Sequence, residues 1–182
     1  MTILCLFDES RKEVLRTDNR NELTKVLRDN GIAFETVPVQ SLEEGSKETI
    51  LSAYQEFINK VKAERGFQSV DVVRITPDMD NVAAMRGKFL NEHIHAEDEA
   101  RFFVNGSGAF YINLGDTVAM LVCEAGDFVS VPAGTKHWFD MSANPTFTAI
   151  RFFTNPEGWV AQFTGSDIAS TIPEFRPWSA PY

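Results

Sequence analysis

Imidazole and carboxylate groups gather in one part of this sequence at spacings that suit a metal ion. His93 and His95 are two residues apart, Glu99 follows, and His137 stands beyond a turn-forming segment; these are the only three histidines in the 182-residue chain. In a strand, a His-X-His pair points both rings to one face, about 6.6 Å apart at roughly 3.3 Å per residue, from where the side chains can converge. Glu99 cannot join them on a straight strand, since four further residues would carry it about 13 Å beyond His95. The spacing therefore predicts a turn at Ala96-Glu97-Asp98 and a returning strand on which Glu99, Arg101 and Phe103 share an interior face. Before His137, the run Val131-Pro132-Ala133-Gly134-Thr135-Lys136 has the proline and glycine needed to return a third imidazole to the same cavity. One histidine alone is best read as packing or surface, but three with a carboxylate read as a ligand set. By donor type the set suits iron, nickel, manganese or zinc: no thiolate competes, and the oxygens are too few for calcium. Four protein ligands on a six-coordinate ion leave two positions for water or substrate, which favours catalysis over a closed structural site.

These side chains must be positioned by strands. From Val72 onward, short apolar runs predict eight strands: Val72–Ile75, Lys88–His95, Ala100–Val104, Ala109–Leu114, Val118–Cys123, Phe128–Val131, His137–Met141 and Thr146–Phe153. Turn-forming residues separate them, among them Asn105-Gly106-Ser107-Gly108, read as a hairpin turn, and Ala125-Gly126-Asp127. Such regular spacing predicts an antiparallel jelly-roll barrel. The N-terminal third reads differently. Asn19 and Glu22 form a capping-box pattern ahead of Leu23, Val26 and Leu27, and Asn30-Gly31 supplies a stop. Ser46 caps a second, longer helix in which Ile50, Leu51, Tyr54, Phe57, Ile58 and Val61 recur at steps of three and four, ending near Gly66. Thr2–Phe7 and Ala33–Val37 are strands flanking the first helix, the second held to an edge or an end by Pro38. The expectation is a mainly β chain: a jelly-roll barrel with an N-terminal α/β extension of two helices. It forms a single domain over 1–182, made of an annex at 1–68, the barrel at 69–153 and a wrapping tail at 154–182.

Composition narrows the partners. A formal charge of -9 opposes a phosphate backbone, and no Lys/Arg cluster with interleaved aromatics is present, so nucleic acid is not expected. The apolar stretches fall far short of the roughly 18 residues of a bilayer span, so no membrane association is expected. The N-terminus has apolar residues first and charges after, the reverse of a secretory signal, which predicts a cytoplasmic protein. Cys5 and Cys123 make neither a CxxC pair nor a disulfide framework and read as buried small hydrophobes. Gly106-Ser107-Gly108 lacks the lysine and following helix of a phosphate loop, and no serine sits in GxSxG.

At the ligand residues the sequence resembles the cupin superfamily. Gly87, His93, His95, Glu99 and Gly106 reproduce its first motif, GX5HXHX3EX6G; Gly126, Pro132, Gly134 and His137 match the second, GX5PXGX2HX3N, whose last position is Met141 here. Over roughly residues 70 to 170 the strings EHIHAEDEARFFVNGSGAF, VPAGTKHWFDM and FTAIRFFTNPEGWVAQFTGSDIA are similar to the acireductone dioxygenase family of methionine salvage. The resemblance implies a cupin fold, one Fe(II) or Ni(II) per chain on His93, His95, Glu99 and His137, and the small molecule acireductone, 1,2-dihydroxy-5-(methylsulfanyl)pent-1-en-3-one, cleaved with O2. It implies 4-methylsulfanyl-2-oxobutanoate and formate as products with iron, and 3-(methylsulfanyl)propanoate, carbon monoxide and formate with nickel. Arg101 takes the place of a family arginine facing the substrate dianion. Phe89, Phe139 and Trp159 take aromatic positions around the pocket, and Glu92 and Asp98 take supporting roles beside the ligands. A monomer is expected. Two rival readings stand beside this one: another metal cupin, such as an isomerase or a dioxygenase for a different enediol, and a non-enzymatic small-molecule sensor. The second lacks any recognisable output element.

Overall fold

The computed structural model describes residues 1–40, 42, 45–155 and 158–177. In chain order the elements are β1 (Ile3–Phe7), β2 (Glu13–Thr17), α1 (Arg20–Asp29), β3 (Ala33–Thr36), α2 (Lys47–Ala53), α3 (Gln55–Arg65), β4 (Ser69–Ile75) and α4 (Val82–Phe89). They continue with β5 (His93–Ile94), β6 (Glu99–Asn113), β7 (Val118–Glu124), β8 (Asp127–Val131), β9 (His137–Asp140), β10 (Phe147–Phe153) and β11 (Gln162–Phe163). All strand pairs are antiparallel and make two sheets that share β6. One sheet runs β11-β5-β9-β6-β7-β1-β2; the other runs β3-β8-β6-β10-β4. This is the jelly-roll arrangement that the strand spacing predicts.

The expected hairpin at Asn105–Gly108 does not form; the two strands predicted on either side are one strand, β6. Its first part pairs with β8 and β10, and Ser107–Asn113 pairs with β7. The crossing from one sheet to the other is made by a bulge: Thr148 opposes Asn105 and Ala149 opposes Phe103, leaving Val104 unmatched. That extra residue reverses the in-out alternation, so Phe103 and Phe110, an odd number of positions apart, both face the interior. Gly106 (φ +73°) sits at the crossing, where an added Cβ would lie 1.9 Å from the Thr146 carbonyl oxygen. Glycine is required there by both backbone conformation and space.

Between the sheets lies a core of Leu4, Phe103, Phe110, Ile112, Leu121, Val129, Phe139 and Phe147, joined by Leu23 and Leu27 from α1. Met141, the departure from the second cupin motif, is buried in this core. On the outer face of one sheet, Ala100, Phe102, Phe128 and Phe152 pack beneath Ile50, Tyr54, Ile58 and Val61 of the N-terminal helices. Each buried aromatic there contributes about 1.5–3 kcal/mol of apolar burial. On the outer face of the other sheet, Tyr111 and Trp138 lie under Ile172 and Phe175 of the C-terminal segment, and the Tyr111 hydroxyl donates to the Pro173 carbonyl at 2.8 Å. Residues 178–182 of the expected wrapping tail lie outside the described residues.

Three further expectations are corrected. The long second helix is two helices, α2 and α3, broken at Tyr54 (φ -102°, ψ 17°), whose hydroxyl receives the Gln40 backbone N–H at 2.9 Å. The predicted strand Lys88–His95 is the end of helix α4 followed by a bend at Leu90-Asn91, with strand pairing only at His93–Ile94. Val82 and Met85, three residues apart, turn toward the core on a helical rather than an alternating period. Third, Glu22 completes no capping box: Asn19 caps α1 through Asn21 N and Glu22 N, but the Glu22 carboxylate accepts from Thr17 Oγ1 at 2.5 Å. β3 is an edge strand beside β8, as Pro38 requires, and β1 is inserted between β7 and β2.

Candidate metal centre

The bend at Ala96-Glu97 turns the chain between the His-X-His strand and β6, so Glu99 returns beside the imidazoles. His93 and His137 are register partners across β5 and β9. One donor atom from each of His93, His95, Glu99 and His137 lies within 4.8 Å of every other, and all four residues are buried. Among the described residues no other such group occurs. Two backbone and side-chain links fix the loops around it: Gly134 N donates to the His95 carbonyl, and Ala133 N donates to Asp98 Oδ1, both at 2.9 Å. They join the turn before Glu99 to the turn before His137.

Each imidazole is oriented through Nδ1. His93 Nδ1 lies 2.7 Å from the Asn91 carbonyl, His95 Nδ1 lies 2.9 Å from the Val160 carbonyl, and His137 Nδ1 lies 2.7 Å from the Thr135 carbonyl. A carbonyl oxygen only accepts, so in the neutral rings the proton sits on Nδ1 and the Nε2 lone pair is left facing inward. Glu99 Oε2 is 3.0 Å from His95 Nε2 and 3.2 Å from His137 Nε2. Lone pairs converging at such distances repel unless a proton or a cation lies among them, and carbonyl-oriented histidine is the usual support of a metal ligand. The donor set therefore fits one transition-metal ion of the iron, nickel, manganese or zinc class.

Electrostatics agree with that role. Burial opposes ionisation of Glu99, but the Arg101 charge and the close approach of the His137 and His95 imidazoles hold its carboxyl well below the usual range. Burial pushes the His93 imidazole down, keeping it neutral. His95 is also opposed by burial, yet its contact with Glu99 raises it. Arg101 Nη2 lies 2.9 Å from Glu99 Oε1 as an ion pair without hydrogen-bond alignment, and Glu99 Oε1 and Arg101 Nε are buried without hydrogen-bond partners. The guanidinium stands 4.2 Å from the Phe139 ring centroid and 5.4 Å from that of Trp159.

The centre opens into a cavity of about 670 Å³ lined by His93, His95, Glu99 and Arg101 on its polar side and by Phe89, Phe139 and Trp159 on its apolar side. The sequence singled out all seven. It missed Lys88, Arg151 and Phe163, which also line the cavity. Arg151 carried a readable signal, the one charge inside the largely apolar strand Phe147–Phe153; Lys88 and Phe163 carried none. Asp98 is half-buried in the turn and accepts from Ala133 N at 2.9 Å. Glu92 is buried and accepts from Asn113 Nδ2 and Thr164 Oγ1, each at 2.8 Å, tying the end of β6 to the segment after β11.

Similar proteins share this layout. An acireductone dioxygenase from a Synechococcus strain is 51% identical over 178 residues, covering 95% of this chain and 98% of the relative. Another from Hahella chejuensis is 52% identical over 161 residues, covering 88% and 87%. Among solved structures, acireductone dioxygenase from Bacillus anthracis, with a cadmium ion in its active centre, superposes with a TM-score of 0.77 at 29% identity, covering 90% of this chain and 99% of that one. The family's sequence model spans the ligands and nearly all of both sheets, matching residues 5–161, and with half-identical relatives over almost the full length the chain belongs to the ARD/ARD' family.

Proposed function

We propose that this protein is an acireductone dioxygenase that holds one Fe(II) or Ni(II) on His93, His95, Glu99 and His137 and cleaves 1,2-dihydroxy-5-(methylsulfanyl)pent-1-en-3-one with O2. The observation that carries the reading is the convergence of four buried ligand atoms within 4.8 Å at the end of a cavity walled by Arg101. Membership of a family whose named relatives are acireductone dioxygenases supports the substrate. An ion held by these four residues would supply Lewis-acid polarisation and redox capacity for the reaction of an enediolate with O2.

The chain's own residues supply the rest. Arg101, buried beside Glu99, places a permanent positive charge where an enediolate dianion would lie. Phe89, Phe139 and Trp159 offer apolar cover to a methylsulfanyl tail and keep water from the reacting carbons. Glu92 and Asp98 are supports: the first anchors the β6 end, the second the turn leading to His137. We place the protein in methionine salvage, as a cytoplasmic monomer with acireductone and O2 as its partners. No helix among the described residues is long and apolar enough to cross a membrane.

Product analysis of protein reconstituted separately with Fe(II) and Ni(II) tests this reading. The iron form should yield 4-methylsulfanyl-2-oxobutanoate and formate, and the nickel form should yield 3-(methylsulfanyl)propanoate, carbon monoxide and formate. Absence of O2 uptake by either form with synthetic acireductone would overturn it.

A further inference from the structure

Three cationic side chains, Lys88, Arg101 and Arg151, line both the metal-centre cavity and an adjoining apolar recess of about 270 Å³. Two of them are neutralised. Arg101 faces Glu99 at 2.9 Å, and Arg151 grips Asp71 with two bonds of 2.9 and 2.6 Å. Lys88 alone has no carboxylate partner among the described residues, and its side chain is exposed at the mouth. In a chain of formal charge -9, an uncompensated ammonium at the opening of a low-dielectric cleft is the local exception. Such a charge raises the local concentration of small anions and their rate of entry.

Its position is built. Lys88 lies on α4, which has no fully buried residue, and the N-cap Asn81 makes no side-chain cap bond. Beside the packing of Val82 and Met85 against the core, Arg86 ties this helix down: its Nε and Nη2 donate to Asp140 Oδ1 and Oδ2 at 2.8 and 2.9 Å, and Nη2 also to Glu174 Oε2 at 2.9 Å. Asp140 is wholly buried and also accepts the backbone N–H groups of Ser142 and Phe175, at 2.8 and 3.1 Å. It stands on β9, three residues after His137, so the base of Lys88 is fastened to the strand that carries a metal ligand.

We propose that Lys88 is the anion receptor of the pocket mouth, drawing in the enolate form of the substrate, and that the Arg86–Asp140 pair is its positioning device. The proposal rests on the enediol reading of the site given above. An exposed ammonium at the mouth, away from the ligand atoms, acts mainly on encounter, so its removal should fall on kcat/KM rather than on kcat.

The test is steady-state O2 uptake with synthetic acireductone by the metal-loaded protein at low and high ionic strength. K88M should lower kcat/KM by about three- to tenfold at low salt and flatten its salt dependence, with kcat within about twofold and bound metal unchanged. K88R should restore both. R86M should raise KM with metal retained, and K88M added to R86M should have a smaller effect than in the wild-type background, because the charge is no longer held at the mouth. Equal kcat/KM and an equal salt slope for K88M and wild type would overturn the proposal while leaving the dioxygenase reading intact. Absence of uptake by the wild-type protein itself would remove the reading and this inference together.

Discussion

His93 and His137 stand opposite each other on neighbouring strands, with ring centroids 4.7 Å apart. β5 is only two residues long, so an ion shared by these rings would staple a minimal strand to β9 and, through Glu99, to β6. Removing metal should therefore destabilise the whole fold. Metal at about a hundredfold above its Kd adds about 2.7 kcal/mol, which for a chain of this size is a rise in Tm of about 5–10 °C. Calorimetry of chelator-treated and metal-loaded protein checks it; coincident transitions would contradict a site that couples these strands.

His95→Ala should lose bound metal and turnover together, with activity reduced at least about hundredfold. Metal analysis beside O2 uptake decides the matter: full activity in a metal-poor variant would exclude the four-ligand centre as the seat of reaction.

Asp98→Ala should weaken the metal without abolishing it. The lost bond to Ala133 N frees the turn before His137, while the Gly134-to-His95 link persists. A rise in metal Kd of about tenfold is expected from supports of this kind, measured by competition with a chelating dye; an unchanged Kd would assign Asp98 to the turn alone.

Gly108→Ala probes the wall behind Phe139. A Cβ at Gly108 would lie 2.5 Å from Phe139 Cζ, and Phe139 is packed between Phe103, Phe110 and Phe147. The ring must shift, at a stability loss of about 1–3 kcal/mol from overpacking. Metal content should be retained while kcat/KM falls about tenfold, more for analogues with long alkyl tails than for short ones. A uniform loss across tail lengths would show that this wall does not meet the tail.

Cys5 and Cys123 should resist alkylation in the native protein. Burial pushes the Cys5 thiol up to about 12, against a partial opposing effect of Arg16, and pushes Cys123 well above its ordinary range. A raised thiol pKa leaves only about one part in ten thousand as reactive thiolate at pH 8 for Cys5. Mass spectrometry after iodoacetamide treatment should find both unmodified until denaturant is added; labelling of folded protein at pH 8 would contradict their burial.

The ligand set was legible because its geometry is local: His-X-His fixes one face, and the distance to Glu99 demands a bend. Arg101 followed from the same alternation along the returning strand. Lys88 carries no signal of its own, and Arg151 only that of a charge within a largely apolar strand, because their presence at the cavity depends on how α4 and β10 meet across the fold. The turn at Asn105–Gly108 failed for a related reason. Its glycines carry ordinary hairpin chemistry, but the chain entering β10 approaches so closely at Thr146 that the same residues serve a strand passing between sheets. The end of α4, Lys88-Phe89, reads as strand because the run before His93 is short and the helical period of Val82 and Met85 rests on few residues, and only packing against the core decides between the two.

The proton acceptors that orient the three imidazoles are the main-chain carbonyls of Asn91, Val160 and Thr135. No codon change deletes a carbonyl, so ring orientation at this centre is shielded from single substitutions in a way that a carboxylate support would not be. Hereditary drift can alter the ion's surroundings through Arg101 or the cavity wall, but the tautomer of each ligand is inherited with the path of the backbone itself. An engineer wishing to retune the ion here has to reshape a loop, since exchanging a side chain leaves those acceptors in place.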